Sequence, residues 1–534
     1  MSSSLSSFRL IRPRAISAIF TVGALTLAPL VSGQIDIKPK QLTRIDDAML
    51  RAANTMNLPS ISVAIVQDGA LLWSHSHGLL DTEAQVKATP DARYAVASNT
   101  KAFTSAALAQ LVDAGKINWD DRVTDYLPSF KLYDPYVTSE LRIRDLLCHR
   151  SGLATFSGDL LWYGSSWTSD EVLQKAQFLK PTSSFRTEFG YQNILYIAAG
   201  KIIEVVTGQT WKNCIQDSLL SPIGMTQSIL SVSELRDGAP QAVPHNETAD
   251  GGQVPIQWVN WDNMAPAGAL IASVEEMAKW MIVQLDSGRV SNQTVWNQQR
   301  TQEMWTMHTP IPVSNWYRSK LPSMHFRGYG LGWEMTTLHG RKIVGHSGGY
   351  DGMISRQMLV PEEKIGVFIV TNTNSSVPWA LGYDILDVLL DQNTSFNLLT
   401  FLEENRASEA KNKAKEADRL ASKRIKGTAP SHAIGDFAGA YTDPMYGTVE
   451  VTDSDDGLQL QFIQTPLFRA ELNHWHYDTF QLNWSEQMML PSGMVHFSVD
   501  AAGQIKSLDV DVPNPDFDFT ELHFIRNETP SNEE

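Results

Sequence analysis

Gly332-Trp333-Glu334-Met335-Thr336-Thr337-Leu338, Lys342-Ile343-Val344-Gly345-His346, Ser355-Arg356-Gln357-Met358-Leu359 and Ile365-Gly366-Val367-Phe368-Ile369-Val370-Thr371 follow one another in close succession. Each run is short and rich in β-formers, and glycines or the Pro361-Glu362-Glu363-Lys364 turn separate them, so together they predict an antiparallel meander. Far upstream, Ile61–Val66 and Leu71–Ser76 flank Asp68-Gly69, a strong short-range hairpin signal. Between hairpin and meander the pattern turns helical. Leu42–Met56 precedes the hairpin, Ser98–Ala114 is closed by Gly115 as a C′ residue would close it, and Ile194–Val206 ends at Gly208. A hairpin first, a helical middle and a meander last predict one antiparallel sheet whose two ends meet, flanked by helices. That is α+β, not the alternating pattern of a parallel sheet.

A chain of 534 residues is too long for one ordinary core. Residues 401–427 are dense in Glu, Lys, Arg and Ala and read as a solvated helix joining two domains. Beyond it, Gly447–Thr452, Leu458–Ile463, Thr479–Trp484, Val495–Val499, Ile505–Val510 and Thr520–Ile525 predict a small β-barrel or meander, with turns at Asp456-Gly457 and Ala502-Gly503. At the start, Arg9, Arg12 and Arg14 precede an apolar run from Ala15 to Val31 and a small-residue site at Val31-Ser32-Gly33, the pattern of a secretory signal. The expected organisation is a signal at 1–33, a main domain at 34–400, a charged linker at 401–428, a β domain at 429–527 and an acidic tail at 528–534.

The net charge is −16, and it becomes −19 without residues 1–33, which hold three arginines and no acid. Such a balance argues against nucleic-acid partners, which need a basic surface. No later stretch is apolar over the length needed to span a bilayer, so stable membrane insertion is not expected. Two cysteines, Cys148 and Cys214, rule out a disulfide scaffold or a multi-cysteine metal site. Both lie among apolar residues, and two buried free thiols are favoured over a pair. Asn-x-Ser/Thr sites at Asn246, Asn292, Asn374, Asn393, Asn483 and Asn527 would accept glycans in a secreted protein.

Three short motifs carry chemistry. Ser98-Asn99-Thr100-Lys101 opens a helix, and an i, i+3 spacing puts serine and lysine on one face. A serine hydroxyl needs a neighbouring base, and a lysine serves when burial favours its neutral amine. Taken alone, the same four residues also describe an N-cap serine and a surface lysine. Tyr191-Gln192-Asn193 puts a phenol and an amide on one side of an extended segment: one can relay a proton, the other can hold a substrate amide. Gly345-His346-Ser347-Gly348-Gly349 ends a strand where glycines allow close approach to the backbone.

In that order and context, the motifs resemble the serine β-lactamase and penicillin-binding-like family, particularly its class C, D-aminopeptidase and esterase branch. Leu146-Leu147-Cys148-His149-Arg150-Ser151-Gly152-Leu153, Pro222-Ile223-Gly224-Met225 and Pro266-Ala267-Gly268-Ala269-Leu270 are similar to that family too. The resemblance covers about 40–395, and the β domain looks like the lipocalin-like domain often fused behind such hydrolases. It implies Ser98 as acylated nucleophile, with Lys101 and Tyr191 sharing the acid and base work. Asn193 would bind substrate, and the N–H groups of Ser98 and Gly349 would form an oxyanion hole. His346, flanked by Ser347 and Gly348 at the substrate edge, takes the third-motif position. No cofactor and no metal are implied.

The family's lactamases and carboxypeptidases carry lysine where His346 stands. A largely neutral imidazole clamps a substrate carboxylate poorly. The expectation is weak or absent β-lactam hydrolysis and activity on small esters, amides or peptides. A transesterase or acyltransferase of the same fold, or an extracellular binding or matrix protein without turnover, are the competing readings. His474-Trp475-His476 looks metal-like, but alternate residues of a strand merely share a side. His149-Arg150 reads as structural support, and the fifteen tryptophans as core and pocket walls.

Overall fold

The computed structural model describes residues 36–528 except 249, 393, 395, 456, 486–489 and 515. The proposed signal at 1–33, Asn393, Asp456 of one turn and most of the acidic tail lie outside the described residues. Residues from Ile37 onward form one compact unit.

Helix α1 spans Pro39–Thr55, with proline in its first turn where a missing N–H costs nothing. Strands β1 (Ser60–Gln67) and β2 (Ala70–Asp81) pair through the Asp68-Gly69 turn, whose residues have φ of +50° and +81°, and Val86–Lys87 (β3) closes that edge. Helix α2 (Thr100–Asp113) follows a single 3-10 turn at Ala97–Asn99. Helix α3 (Ile194–Thr207) ends at Gly208, φ +71°, and helix α4 is Val274–Leu285. The meander then runs β4 (Thr309–Ile311), β5 (Arg327–Tyr329), β6 (Glu334–Leu338), β7 (Arg341–Tyr350), β8 (Met353–Val360) and β9 (Ile365–Thr371). Helices α5 (Val377–Leu389) and α6 (Leu398–Ser422) follow.

These strands make one nine-stranded antiparallel sheet in the order β4-β5-β6-β7-β8-β9-β1-β2-β3. Its two sequence-distant parts meet where Ile61 pairs with Thr371 and Ile65 with Val367, the closure expected of hairpin and meander. Helix α4 packs on β1, β2 and β9, while α1 and α5 contact each other and pack on the sheet as well. Phe103 of α2 stacks on Trp280 of α4 with ring centroids 3.7 Å apart, tying the helical layer together. Trp280, Trp296 and Trp333 are wholly buried, so these tryptophans are core. Both cysteines are free and buried.

The remaining strands are β10 (Gly439–Asp443), β11 (Gly447–Ser454), β12 (Gly457–Phe462), β13 (Arg469–His476), β14 (Thr479–Trp484), β15 (Gly493–Val499), β16 (Ile505–Asp511) and β17 (His523–Arg526). They form a closed eight-stranded barrel. Sequence alone supplied six of these strands. The other two, β10 and β13, to which it assigned no range, complete the closure, which removes exposed edges. The barrel leans on the segment 157–166 of the main unit. Phe517 meets Tyr163 with centroids 4.6 Å apart, Ser157 Oγ donates to Glu521 at 2.8 Å, and the Ser166 N–H donates to the Gln464 carbonyl at 2.7 Å.

Candidate active site

Ser98 sits in the 3-10 turn that leads into α2, just after Ala97, a non-glycine residue held at φ +47°. Such a conformation is costly and holds only when the surroundings impose it. Here they do: the Val96 N–H donates to the Leu270 carbonyl at 3.0 Å, and Asn99 Nδ2 donates to Ser355 Oγ of β8 at 2.9 Å. One turn on, Lys101 is 0% exposed. Its Nζ lies 3.0 Å from Ser98 Oγ, 2.6 Å from Asn193 Oδ1 and 3.0 Å from the Ala267 carbonyl. The Pro266–Leu270 motif thereby acquires a purpose, since it turns a backbone acceptor onto the lysine. Burial depresses the Lys101 amine to about 7, with Asp159 pulling partly the other way.

Asn193 caps no substrate edge. Its oxygen faces Lys101, and its Nδ2 donates to Asp159 Oδ2 at 2.6 Å, so both ends of the amide are engaged inside the protein. Asp159 is buried, accepts a second hydrogen bond from Trp162 Nε1 at 2.8 Å, and is pushed up to about 7 by burial against the pull of its donors. Lysine and aspartate are thus both driven toward their neutral forms, and each charge partly relieves the other. No motif marks Asp159 in the sequence. It becomes visible only when 157–163 folds beneath the loop carrying Tyr191.

Tyr191 lies beside the nucleophile. Lys101 Nζ stands 4.8 Å from its ring centroid. Burial pushes its phenol well up, with the hydrogen bond to Ser98 opposing. Its ring also meets the His149 ring at 4.2 Å between centroids. His149 Nδ1 accepts the Gln192 N–H at 3.0 Å, fixing the loop that bears Tyr191 and Asn193. Arg150 meets Asp145 at 2.7 Å, a contact that also holds Arg186. The support expected of His149-Arg150 is therefore present.

His346 is 2% exposed, and burial lowers its imidazole to about 4. A carbonyl can only accept, so Nδ1 carries the proton and donates to the Ser347 oxygen at 2.5 Å, while Nε2 accepts from the Tyr329 hydroxyl at 2.7 Å. The ring is neutral and has no N–H to spare. Ser347, the next residue, points through the sheet. Its Oγ accepts from Arg356 Nη1 at 2.7 Å, in a cavity of about 110 Å3 lined also by Glu334, Trp379 and Tyr383. Strand alternation takes the Ser347 side chain away from Ser98. Gly348 returns to the nucleophile's side, where a Cβ would stand 2.1 Å from the Val96 carbonyl. That close pass sets the backbone of Gly348 and exposed Gly349 against the turn carrying Ser98.

Beta-lactamase is the family model that matches residues 47–389, well over half of the chain. The chain belongs to the Beta-lactamase family. A second model, a domain of unknown function (DUF3471), matches 423–526, the region of the barrel. Among relatives, unguisins hydrolase ungD' of Aspergillus campestris is 28% identical over 413 residues, 73% of this chain and 74% of the relative. Protein flp of Staphylococcus aureus is 27% identical over 60% of each chain. Among solved structures, the octameric penicillin-binding protein homologue from Pyrococcus abyssi superposes with TM-score 0.61 at 20% identity, covering 91% of this chain and all of that one. A D-stereospecific amidohydrolase from Streptomyces sp. gives TM-score 0.51 at 21% identity, covering 64% of this chain and 97% of its own. These likenesses make the protein a hydrolase of the Beta-lactamase fold. Among the described residues, no helix is long and apolar enough to cross a membrane.

Proposed function

We propose that this is a secreted serine hydrolase that acts on small esters, amides or peptides through an acyl-enzyme on Ser98. The observation that carries the reading is Lys101, wholly buried, 3.0 Å from Ser98 Oγ and with its amine lowered to about 7. A neutral amine at that distance accepts the hydroxyl proton as Oγ attacks the carbonyl carbon. The electron pair displaced onto the carbonyl oxygen is held by the N–H groups of Ser98 and Gly349. Tyr191, whose phenol stays protonated, hands a proton to the leaving group and recovers one from Lys101. Water then attacks the acyl-enzyme by the reverse route. Asn193 and Asp159 aim and balance the lysine.

The neutral, fully occupied His346 favours substrates without a carboxylate at the position the third motif would clamp, and so weak or absent β-lactam turnover. The relative named unguisins hydrolase supports hydrolysis, and the D-stereospecific amidohydrolase shares the fold. Secretion rests on the arginine, apolar and small-residue pattern of residues 1–33. A fluorophosphonate probe should label wild type and not Ser98→Ala, and mass spectrometry should show one acyl adduct on the Ser98 peptide. Equal labelling of both proteins refutes the assignment. Nitrocefin turnover at a rate matching the best ester refutes the substrate preference.

A further inference from the structure

Two H-x-H pairs lie on strands of this chain, and the sequence draws the eye to His474 and His476. Folded, that pair is spent on structure. His474 Nε2 contacts the Tyr477 carbonyl at 2.9 Å, His476 Nδ1 accepts the Ile425 N–H at 3.4 Å, and a bulge in the pairing separates the two residues. The other pair, His75 and His77 on β2, is different. An i, i+2 spacing sends both imidazoles to the same face of the strand, the face on which α1 packs. Asp46 of α1 reaches between them. Its Oδ1 lies 2.8 Å from His77 Nε2 and contacts His75 Nδ1 as well. The two rings are 4.7 Å apart at their centroids.

We propose that Asp46, His75 and His77 bind one divalent transition ion of zinc type. The three ligand atoms, one carboxylate oxygen and two imidazole nitrogens, lie within 4.8 Å of one another. Two donors at ~2.0–2.1 Å from a tetrahedral zinc are ~3.3 Å apart, so ligation asks the Asp46–His77 contact to open by roughly half an ångström and the shorter Asp46–His75 contact to open further. All three side chains are part-exposed, at 34%, 44% and 18%, and have room to do so. Among the described residues, no lysine or arginine pairs with Asp46. The carboxylate therefore faces only imidazoles, which are ligands when neutral. Two nitrogens and one oxygen suit zinc and not magnesium or calcium, which demand oxygen donors. With three protein ligands, the fourth position is open to water on the solvent side. The ion would pin α1 to β2, a contact remote in kind from the Ser98 chemistry, since no residue is shared.

The full chain, stripped with chelator, is titrated calorimetrically with zinc alone and analysed for bound metal after dialysis. One equivalent should bind and raise the melting temperature. Asp46→Asn and His77→Ala should each weaken binding roughly tenfold or more, because a direct ligand matters at least as much as its outer partners. The conservative His75→Asn, on a part-exposed strand position, guards against misfolding and should weaken binding likewise. His474→Ala with His476→Ala should leave it intact. Absence of saturable zinc binding, equal affinity for magnesium, undiminished binding in the ligand variants of folded protein, or loss of binding in the His474/His476 variant overturns the proposal. None of these readouts depends on hydrolase activity.

Discussion

Replacing Asn193 by aspartate changes one atom group of the site and moves a negative charge. In the wild type the nearest anion to Lys101 is Asp159, reached through the Asn193 amide by two 2.6 Å hydrogen bonds. With the amide's own span, that puts the charges roughly 7 Å apart, worth ~2.4 kcal/mol at an effective dielectric of about 20. In Asn193→Asp the new carboxylate lies at the position now 2.6 Å from Nζ, worth ~6.4 kcal/mol on the same footing. Asp159, already pushed up to about 7, takes a proton and donates it to the new carboxylate, replacing the lost amide donor. The difference, ~4 kcal/mol, raises the lysine by about 3 pH units. Wild-type kcat/KM should rise with pH through about 7, because Lys101 must lose its proton to act as base. In the variant that limb should move to near pH 10, cutting kcat/KM at pH 7 by roughly a thousandfold and restoring it in alkali. A chromogenic ester assayed across this range, corrected for spontaneous hydrolysis, reads the limb directly. A variant of unchanged melting temperature whose activity falls equally at every pH refutes the role given to Lys101.

Gly348→Ala and Gly349→Ala should part company. An added Cβ at 348 meets the Val96 carbonyl at 2.1 Å, whereas at 349 its nearest neighbour is Ile354 at 3.6 Å. The first should cost ~1–3 kcal/mol or more in denaturant unfolding and displace the Ser98 turn, and the second should fold normally. Tyr329→Phe leaves His346 Nε2 buried without a donor, and urea titration should register a loss of ~1–3 kcal/mol. Thiol titration should find neither cysteine reactive in the native protein and both reactive once it is denatured, since both are buried and unpaired and burial raises the thiols of Cys148 and Cys214.

Local patterning sufficed for much of the architecture. Asp68-Gly69 between two β-rich runs is a strong hairpin signal, and the closely spaced 332–371 runs with short turns favour a meander. Ser98 and Lys101 share a face because helical periodicity places them so. All of this is near-neighbour geometry, which a linear string encodes. Contacts across long stretches of chain were another matter. Strand β13 is the clearest case: Arg469-Ala470-Glu471-Leu472-Asn473 alternates locally, but closure of the barrel sets which neighbours it pairs with and in what register.

The functional centre divides along the same line. The sequence, through its family resemblance, pointed to Ser98, Lys101 and Tyr191 and to a histidine, His346, at the place of the family's lysine. Only the tertiary structure decided that Asn193 serves the lysine, that Asp159 stands behind it, that Ser347 faces away through the sheet, and that His75 and His77 meet Asp46 while His474 and His476 meet nothing of the kind. Residue type and spacing fix what a side chain can do. Desolvation, partner and direction, which set its protonation and its target, come from segments that only folding brings together.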